Sequence, residues 1–367
     1  MKATSNFQQD IFDDNVLIPG LLASTGAGDI SEHVYSNAEM VDLDSYDRII
    51  VTFSGKDSFA SLLKIIKAGV DLSKVELWHH DVDGREGGNL AFDWPFMRDY
   101  CLKVAQALNL PIFYSWVAGG IETEMLKKDD YSKPILFETP DGLVEKGRDL
   151  SRAKKNTRLL FPQQSGSLQT RWCSSIAKID VGRRALNHQP RFNNARVLFI
   201  SGERRQESSN RAKYFQLEPH YCDRRSGRLA RHIDHWRPVL NWSEEMVWEA
   251  LKNADVLAPV PYRLNFSRSS CQLCIFNDDR IWATLLEYFP NQVKLVDEYE
   301  QRFGKTIDRG HRSVLQRAKT AKPLTGIDPI ALQQASKSEY LLPVFANSDH
   351  PWELPSGAFG TGQCGSW

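Results

Sequence analysis

Between residues 48 and 117 the chain alternates short apolar runs with segments of helical period, and no other feature restricts the fold as much. RIIVTF is followed by a helical pattern over 58–68, then VELWHHD, a second helical pattern over about 94–108, and PIFYSW. Continuous apolar runs read as strands buried on both faces, and the helices between them are long enough to cross over. This rhythm predicts a doubly wound α/β fold with a mostly parallel sheet and ligands at the carboxyl ends of the strands. Residues 54–58 (SGKDS) and 81–84 (DVDG) fall at two such ends.

SGKDS lies where a strand turns into a helix. A helix N-terminus presents free N–H groups and the positive end of its dipole, and a glycine without Cβ lets an oxyanion approach the backbone. Lys56 adds a point charge, and Ser54 and Ser58 add hydroxyls. The common ATPase loop is excluded, because G-x-x-x-x-G-K-[ST] needs glycine at 50 and a hydroxyl at 57, where the chain has Ile50 and Asp57.

The rest of the chain offers further elements. ILFETPDGLVEKG reads as a hairpin turning at Asp141 and Gly142, residues 148–170 as a mobile basic loop, 175–187 as a helix, and ARVLFIS as a further strand. GERRQESSNRAKYF reads as a turn with a helix, WSEEMVWEAL as a helix starting at Ser243, and 278–303 as two helices. The expected organisation is an arm over 1–44, its first forty residues loose, a nucleotide-binding domain over 45–276, and a helical extension with a turn-rich tail over 277–367 that wraps the body or moves freely.

The formal charge is zero, yet residues 146–231 hold 20 Lys and Arg against 6 Asp and Glu. Such a segment suits an anionic partner, a nucleotide or a DNA or RNA backbone, unless acidic neighbours neutralise it. No stretch is apolar enough to span a bilayer, and acidic residues precede VLIPGLLAS where a secretory signal needs basic ones, so a cytoplasmic protein is expected. Six cysteines are too few for a disulfide framework at this length. Cys271 and Cys274 have metal-ligand spacing. Histidines 79, 80, 232 and 235 lie in or beside aromatic-rich strands and read as structural, with His80 near enough to a strand end to touch a nucleotide. Trp236, Trp242 and Trp248 read as core.

Four segments in order, FSGKDSFASL, RWCSSIAKI, SGERRQESSNR, and WSEEMVWEAL through PYRLNFSRSSCQLCIF, resemble the phosphoadenosine phosphosulfate (PAPS) reductase-like family of the PP-loop ATP pyrophosphatase superfamily. They cover about residues 45–276. The family's usual loop has a second glycine before the lysine, which is missing here. The resemblance implies a five-stranded, mostly parallel sheet of the adenine nucleotide alpha hydrolase-like type, with helices on both faces. It implies ATP and Mg²⁺ as ligands. Ser54, Gly55, Lys56, Asp57 and Ser58 would bind phosphates, Asp81 and Asp83 would lie near base and ribose, and Lys178 is the family's lysine downstream of Cys173. Arg204 and Arg211 would take terminal phosphate or sulfate, and Glu207 would orient them or help hold Mg²⁺. Lys56, Asp57 and Arg204 are the expected catalytic residues.

Some relatives bind a [4Fe–4S] cluster through such cysteines. Cys173, Cys271, Cys274 and Cys222 are the candidate ligands here, for a cluster or for Zn²⁺, with His220 able to replace Cys222; reduced thiols packed in the core are the alternative. The expected function is Mg²⁺-dependent ATP pyrophosphatase activity, giving AMP and pyrophosphate, in sulfur transfer or nucleic-acid modification, with a sulfur-donor or modification-complex protein as a further partner. One alternative is a sulfonucleotide reductase with Cys364 as tail nucleophile, although the loop lysine is typically replaced in those enzymes. Another is a non-catalytic nucleotide-sensing module that binds nucleic acid.

Overall fold

A computed structural model of the chain describes residues 34–360. The first half runs β1 (Arg48–Thr52), α1 (Lys56–Lys67), β2 (Val75–His80), α2 (Met97–Ala107), β3 (Ile112–Val117), α3 (Gly120–Met125) and the hairpin β4 (Ile135–Thr139) and β5 (Gly142–Lys146). A helical segment follows, with α4 (Trp172–Ser174) running through a π-helical stretch (Ser175–Asp180) into α5 (Val181–Asn187), then β6 (Arg196–Ile200), β7 (Leu217–Pro219) and β8 (His232–Trp236). The helices α6 (Glu244–Asn253), α7 (Val260–Arg263), α8 (Asp279–Tyr288), α9 (Pro290–Phe303), α10 (Val314–Thr320) and α11 (Pro329–Ala335) complete the described chain.

The sheet has eight strands in the order β5-β4-β3-β2-β1-β6-β8-β7. The expected parallel sheet is its centre: β3, β2, β1, β6 and β8 pair in parallel. Antiparallel β4 and β5 extend one edge and β7 the other, so the count of five is corrected to eight. Side chains alternate across the sheet as the pleat requires. Ile49 and Val51 of β1 and Leu198 and Ile200 of β6 join the larger apolar cluster, whereas Ile50, Val197 and Phe199 join a second one with Val181, Ala185 and Leu186 of α5. Each strand is therefore held in register from both sides, since a one-residue slip would exchange the two sets.

Of the arm expected to be loose, residues 1–33 lie outside the described residues. Residues 34–44 pack against the body: Ala38 N donates to Gln216 Oε1 at 2.6 Å, and Trp236 Nε1 donates to Ala38 O at 2.7 Å. The basic loop at 148–170 is anchored, contrary to the expectation of mobility. Phe161 is buried, with ring centres 6.3 Å from Phe92 and 5.8 Å from Phe303, and Gln164 Nε2 donates to Ile275 O at 2.8 Å. The turn after β6 holds only two short 3₁₀ turns, Arg205–Glu207 and Arg211–Lys213, where a longer helix was expected. The C-terminal segment wraps the body, with Trp352 Nε1 donating to Val256 O at 3.0 Å and Trp248 Nε1 to Ala358 O at 3.1 Å.

Much of the basic excess is neutralised within the fold. Arg158 pairs with Glu124 at 2.9 Å and Arg191 with Glu76 at 2.5 Å, while Arg148, Arg183 and Arg184 converge on Asp180. Arg152 pairs with Asp149 at 3.5 Å, with a side chain that is 88% exposed. Among the described residues no helix is long and apolar enough to cross a membrane.

Phe161 is the apolar anchor of the 148–170 loop. Phe161→Ala is expected to cost about 3 kcal/mol, read as a lower urea midpoint, with faster proteolytic cleavage inside 148–170; an unchanged midpoint would show that the loop is not held this way.

Candidate active site

The chain leaves β1 toward α1 and β2 on one side, and leaves the neighbouring β6 toward β8 on the other. The turns beyond these two parallel strands diverge and open a crevice at the carboxyl ends, the usual ligand position in such sheets. At that point the turn after β6 rests on the first turn of α1. A Cβ on Gly202 would stand 2.5 Å from Asp57 C and Ser58 N, so only glycine permits the approach.

The approach joins the two turns through charge. Lys56 and Arg204 are buried, at 3% and 4% exposure. Lys56 Nζ donates to Asp57 Oδ2 at 3.0 Å and pairs with Glu244 Oε1 at 3.3 Å, and Arg204 Nε donates to Asp57 Oδ1 at 2.5 Å. The Lys56 ammonium lies 5.8 Å from the Trp248 ring centre and 5.7 Å from that of Tyr262. Burial works against the charge on Lys56, but Tyr262, Asp57 and Glu244 outweigh it and raise its pKa. Burial likewise opposes ionisation of Asp57, yet Lys56 and Arg204 hold its carboxyl below the usual range. Gln206 Oε1 links the elements further, accepting from Arg204 Nη1 at 2.9 Å and from Glu244 N at 3.0 Å.

The phosphate-loop residues divide by role. Ser58 Oγ is turned back onto the loop, accepting from Ser54 N at 3.1 Å and Gly55 N at 3.0 Å and donating to Gly55 O at 2.7 Å. In this structure its hydroxyl shapes the loop. Ser54 is exposed. Gly55 has extended backbone, so it meets no conformational demand; a Cβ there would come 3.4 Å from Ser269 Cβ. Glu207 accepts from the backbone N–H of Arg204 at 2.8 Å and from the Arg211 guanidinium, through Nη1, at 2.8 Å.

At the end of β2, Asp83 serves the chain itself. Its carboxylate accepts from Phe92 N at 2.7 Å and Asp93 N at 2.9 Å, closing the 84–92 loop, and Asp81 Oδ1 accepts from Asp83 N at 3.2 Å. In this structure Asp83 thus closes a loop at the end of β2. Burial, helped by Asp93 and Asp81, pushes the Asp83 carboxyl up to about 7. His79 Nδ1 donates to Phe53 O at 2.8 Å, and His80 shares a 2.8 Å hydrogen bond with Ser115 Oγ; burial pushes His80 down to about 3, so it is neutral. His232 bonds Asp234 at 3.0 Å, and His235 bonds Ser201 Oγ at 2.8 Å.

Lys178 lies on the π-helical stretch. More than a third of the residue is solvent-accessible. Cys271 raises its pKa most, followed against the effect of burial by Asp93, Cys173 and Cys274. Burial raises the pKa of Cys173 itself, with Cys274 adding to the effect and Lys178 opposing it. Cys222 is not with them: it packs in the apolar cluster with Phe199 and α5, its Sγ 4.0 Å from Arg183 O. His220 follows it, with Nδ1 accepting from Cys222 N at 3.1 Å. Among the described residues no group of three or more His, Cys, Asp or Glu could hold a metal ion, so the four-ligand cluster or zinc set does not fit these side chains. Cys364 lies outside the described residues.

Residues 148–276 match the family model described as the phosphoadenosine phosphosulfate reductase domain. That segment is PAPS reductase-like. It carries Lys178, Arg204, Glu207, Arg211 and the three clustered cysteines, while the phosphate loop and the end of β2 precede it. The chain is also similar to a solved PAPS reductase from Candida auris, in phosphate complex, at 14% identity and a TM-score of 0.34, over 62% of this chain and 83% of that one. No curated protein matches. Family and crevice together mark a nucleotide-related role. Glu244, Tyr262, Trp248 and Asp93 escaped the sequence reading as site residues; Glu244 read only as an acidic first-turn residue and Trp248 as core.

Two outcomes follow from the charges. Asp57→Ala leaves two buried cations facing each other and should destabilise the fold by about 3–5 kcal/mol, seen by urea unfolding at pH 7. Asp83 has a folded pKa above its unfolded one, so its contribution is fully present below the unfolded value and is lost as pH rises through about 7. Stability of the wild type should therefore fall between pH 4 and 7 relative to Asp83→Asn; parallel stability curves would refute the assignment.

Proposed function

We propose that the chain is a Mg²⁺-dependent ATP pyrophosphatase, releasing AMP and pyrophosphate and activating an acceptor by adenylation in sulfur transfer or nucleic-acid modification. One observation carries this reading: Lys56 and Arg204, from the turns after β1 and β6, converge on the single carboxylate of Asp57. Splitting ATP between its α and β phosphates places growing negative charge on the departing pyrophosphate, and cations already fixed and desolvated stabilise that charge without reorganising. A multiply charged phosphate chain can replace the carboxylates of Asp57 and Glu244 as partner of Lys56. Arg204 brings a planar guanidinium suited to two oxygens at once, held in place by Asp57 and Gln206. Asp57 and Glu244 are hard oxygen donors that suit Mg²⁺, which would screen phosphate charge when bound. No step is assigned to a cluster or zinc ion.

A second reading, sulfonucleotide reduction with Cys364 as nucleophile, is favoured by the path of the C-terminal segment. Gly357 N donates to Tyr262 O at 2.9 Å and Trp248 Nε1 to Ala358 O, so the chain passes directly behind the rings that flank Lys56. Four further residues can span at most about 14 Å.

The test supplies ATP and Mg²⁺ to anaerobically purified protein and measures AMP and pyrophosphate, with adenylyl sulfates and a thiol reductant run in parallel. Lys56→Ala should abolish pyrophosphate release, by at least about 100-fold, and Cys364→Ser should leave it unchanged. Sulfite from the sulfonucleotides, dependent on Cys364 and without pyrophosphate from ATP, would establish the second reading instead.

A further inference from the structure

At the far side of the sheet, three guanidiniums share one carboxylate. β5 is antiparallel to β4 and β4 to β3, so β5 runs parallel to β3 and its carboxyl end lies on the same edge as the crevice. The register agrees: Lys146 pairs with Ile135, and Ile135 with Val117, the last residue of β3. Arg148 leaves the sheet at that edge, two residues beyond Lys146 and four strand positions from β1, a separation of about 19 Å at the ordinary strand spacing.

Arg148 Nη2 donates to Asp180 Oδ2 at 3.3 Å, and Arg184 Nε lies 3.3 Å from the same oxygen without forming a hydrogen bond. Arg183 Nε donates to the other oxygen, Oδ1, at 3.1 Å. Three cations thus surround one anion, leaving two positive charges in excess within the group. Asp149, the next carboxylate after Arg148, is itself paired with Arg152 at 3.5 Å. Burial holds the Arg184 guanidinium below its usual pKa, and Arg148 adds to the effect, the mark of like charges packed together. Arg148 Nε is buried with no hydrogen-bond partner among the described residues. Such gathering costs repulsion that a further anion relieves.

The group opens on a cavity of about 320 Å³ lined by Arg148, Ser175, Ile176, Ile179, Asp180 and Arg183. The two isoleucines offer apolar surface that a hydrated inorganic ion does not use. Tyr221 adjoins this wall. Its hydroxyl donates to Ile179 O at 3.1 Å and its ring centre is 4.0 Å from that of His220, yet the residue is 58% exposed. An aromatic ring is therefore held in solvent beside a set of arginines, the combination that takes unpaired bases together with their backbone.

We propose that Arg148, Arg183 and Arg184, with the ring of Tyr221, form an anchoring site for a single-stranded polynucleotide, the guanidiniums taking a backbone phosphate and Tyr221 stacking a base. Planar guanidiniums suit the phosphate because each offers parallel N–H donors. A duplex keeps its bases stacked on one another and offers none to the ring. Lying on the crevice edge but clear of the Lys56, Asp57 and Arg204 group, the site holds an acceptor without competing for the nucleotide. Its role toward an acceptor rests on the nucleic-acid branch of the proposed function, but binding at the site does not.

The test measures fluorescence anisotropy of a labelled single-stranded 12-mer with the full chain, without ATP, for wild type, Arg148→Gln, Arg183→Gln, Arg183→Lys, Tyr221→Leu and the control Arg152→Gln. Each glutamine variant at 148 and 183 should lose at least about 5-fold in affinity, with a salt slope shallower by about one. Arg183→Lys should keep the slope and recover only part of the affinity. Tyr221→Leu should lose at least about 5-fold with the slope unchanged, a split that diffuse surface charge does not produce. No binding by wild type overturns the proposal, as does unchanged affinity in Arg148→Gln and Tyr221→Leu at melting temperatures matching wild type. An equal loss in Arg152→Gln also overturns it, because the charge is then diffuse, and so does equal affinity for a duplex 12-mer that is insensitive to Tyr221→Leu. Failure of the pyrophosphatase reading is separate: it appears as no pyrophosphate from ATP and Mg²⁺ with a wild type that still binds the 12-mer.

Discussion

The architecture of the crevice depends on one carboxylate. Asp57 is the counter-ion of two cations that come from different turns, and both cations are almost wholly removed from water. Burying a lone charge costs several kcal/mol even after relaxation, so the turn after β6 depends for Arg204 on a carboxylate from the other turn, whereas Lys56 has Asp57 beside it and Glu244 opposite. The two turns become compatible only because β1 and β6 are parallel neighbours and Gly202 lets the second turn lie on the backbone of the first. The sheet order thus decides the electrostatics, and the electrostatics fix the two turns against each other. A ligand that offers negative charge at this point competes with a group the fold itself requires, which ties occupancy of the crevice to its rigidity.

The strands and the crevice were legible because their signals are local. Apolar runs such as RIIVTF and ARVLFIS are buried on both faces and need no partner to be recognised, and SGKDS announces a strand-to-helix turn by residue type alone. What the sequence concealed is direction. Ser58 looked like a phosphate donor, but its hydroxyl satisfies the N–H groups of Ser54 and Gly55. Asp83 looked like a ligand residue, but it closes a loop through Phe92 and Asp93. Cys222 and Cys173 are equally plausible thiols on paper, yet they belong to opposite apolar clusters, a difference set by the sheet lying between them. The polar composition of 148–170 hid Phe161, one ring sufficient to anchor the loop in the core.

Charge counting failed in a similar way. The excess of cations in 146–231 suggested a broad electrostatic surface, but Glu76, Glu124, Asp57 and Asp234, all outside that segment, take up Arg191, Arg158, Arg204 and Arg225. Net charge along a sequence says where counter-ions are needed, and the fold supplies many of them from elsewhere in the chain.

A single stretch, 262–276, links these observations. Tyr262 flanks Lys56, Ser269 abuts Gly55, Ser270 O accepts from Trp94 Nε1 at 3.0 Å, Cys271 and Cys274 face Lys178, and Phe276 gathers Arg171 and Arg268. It therefore runs as one wall past the phosphate loop, the thiols and the arginines on Phe276 in turn. Fifteen consecutive residues cannot shift at one end without disturbing the other when the glutamine, leucine and isoleucine between them, Gln272, Leu273 and Ile275, are buried.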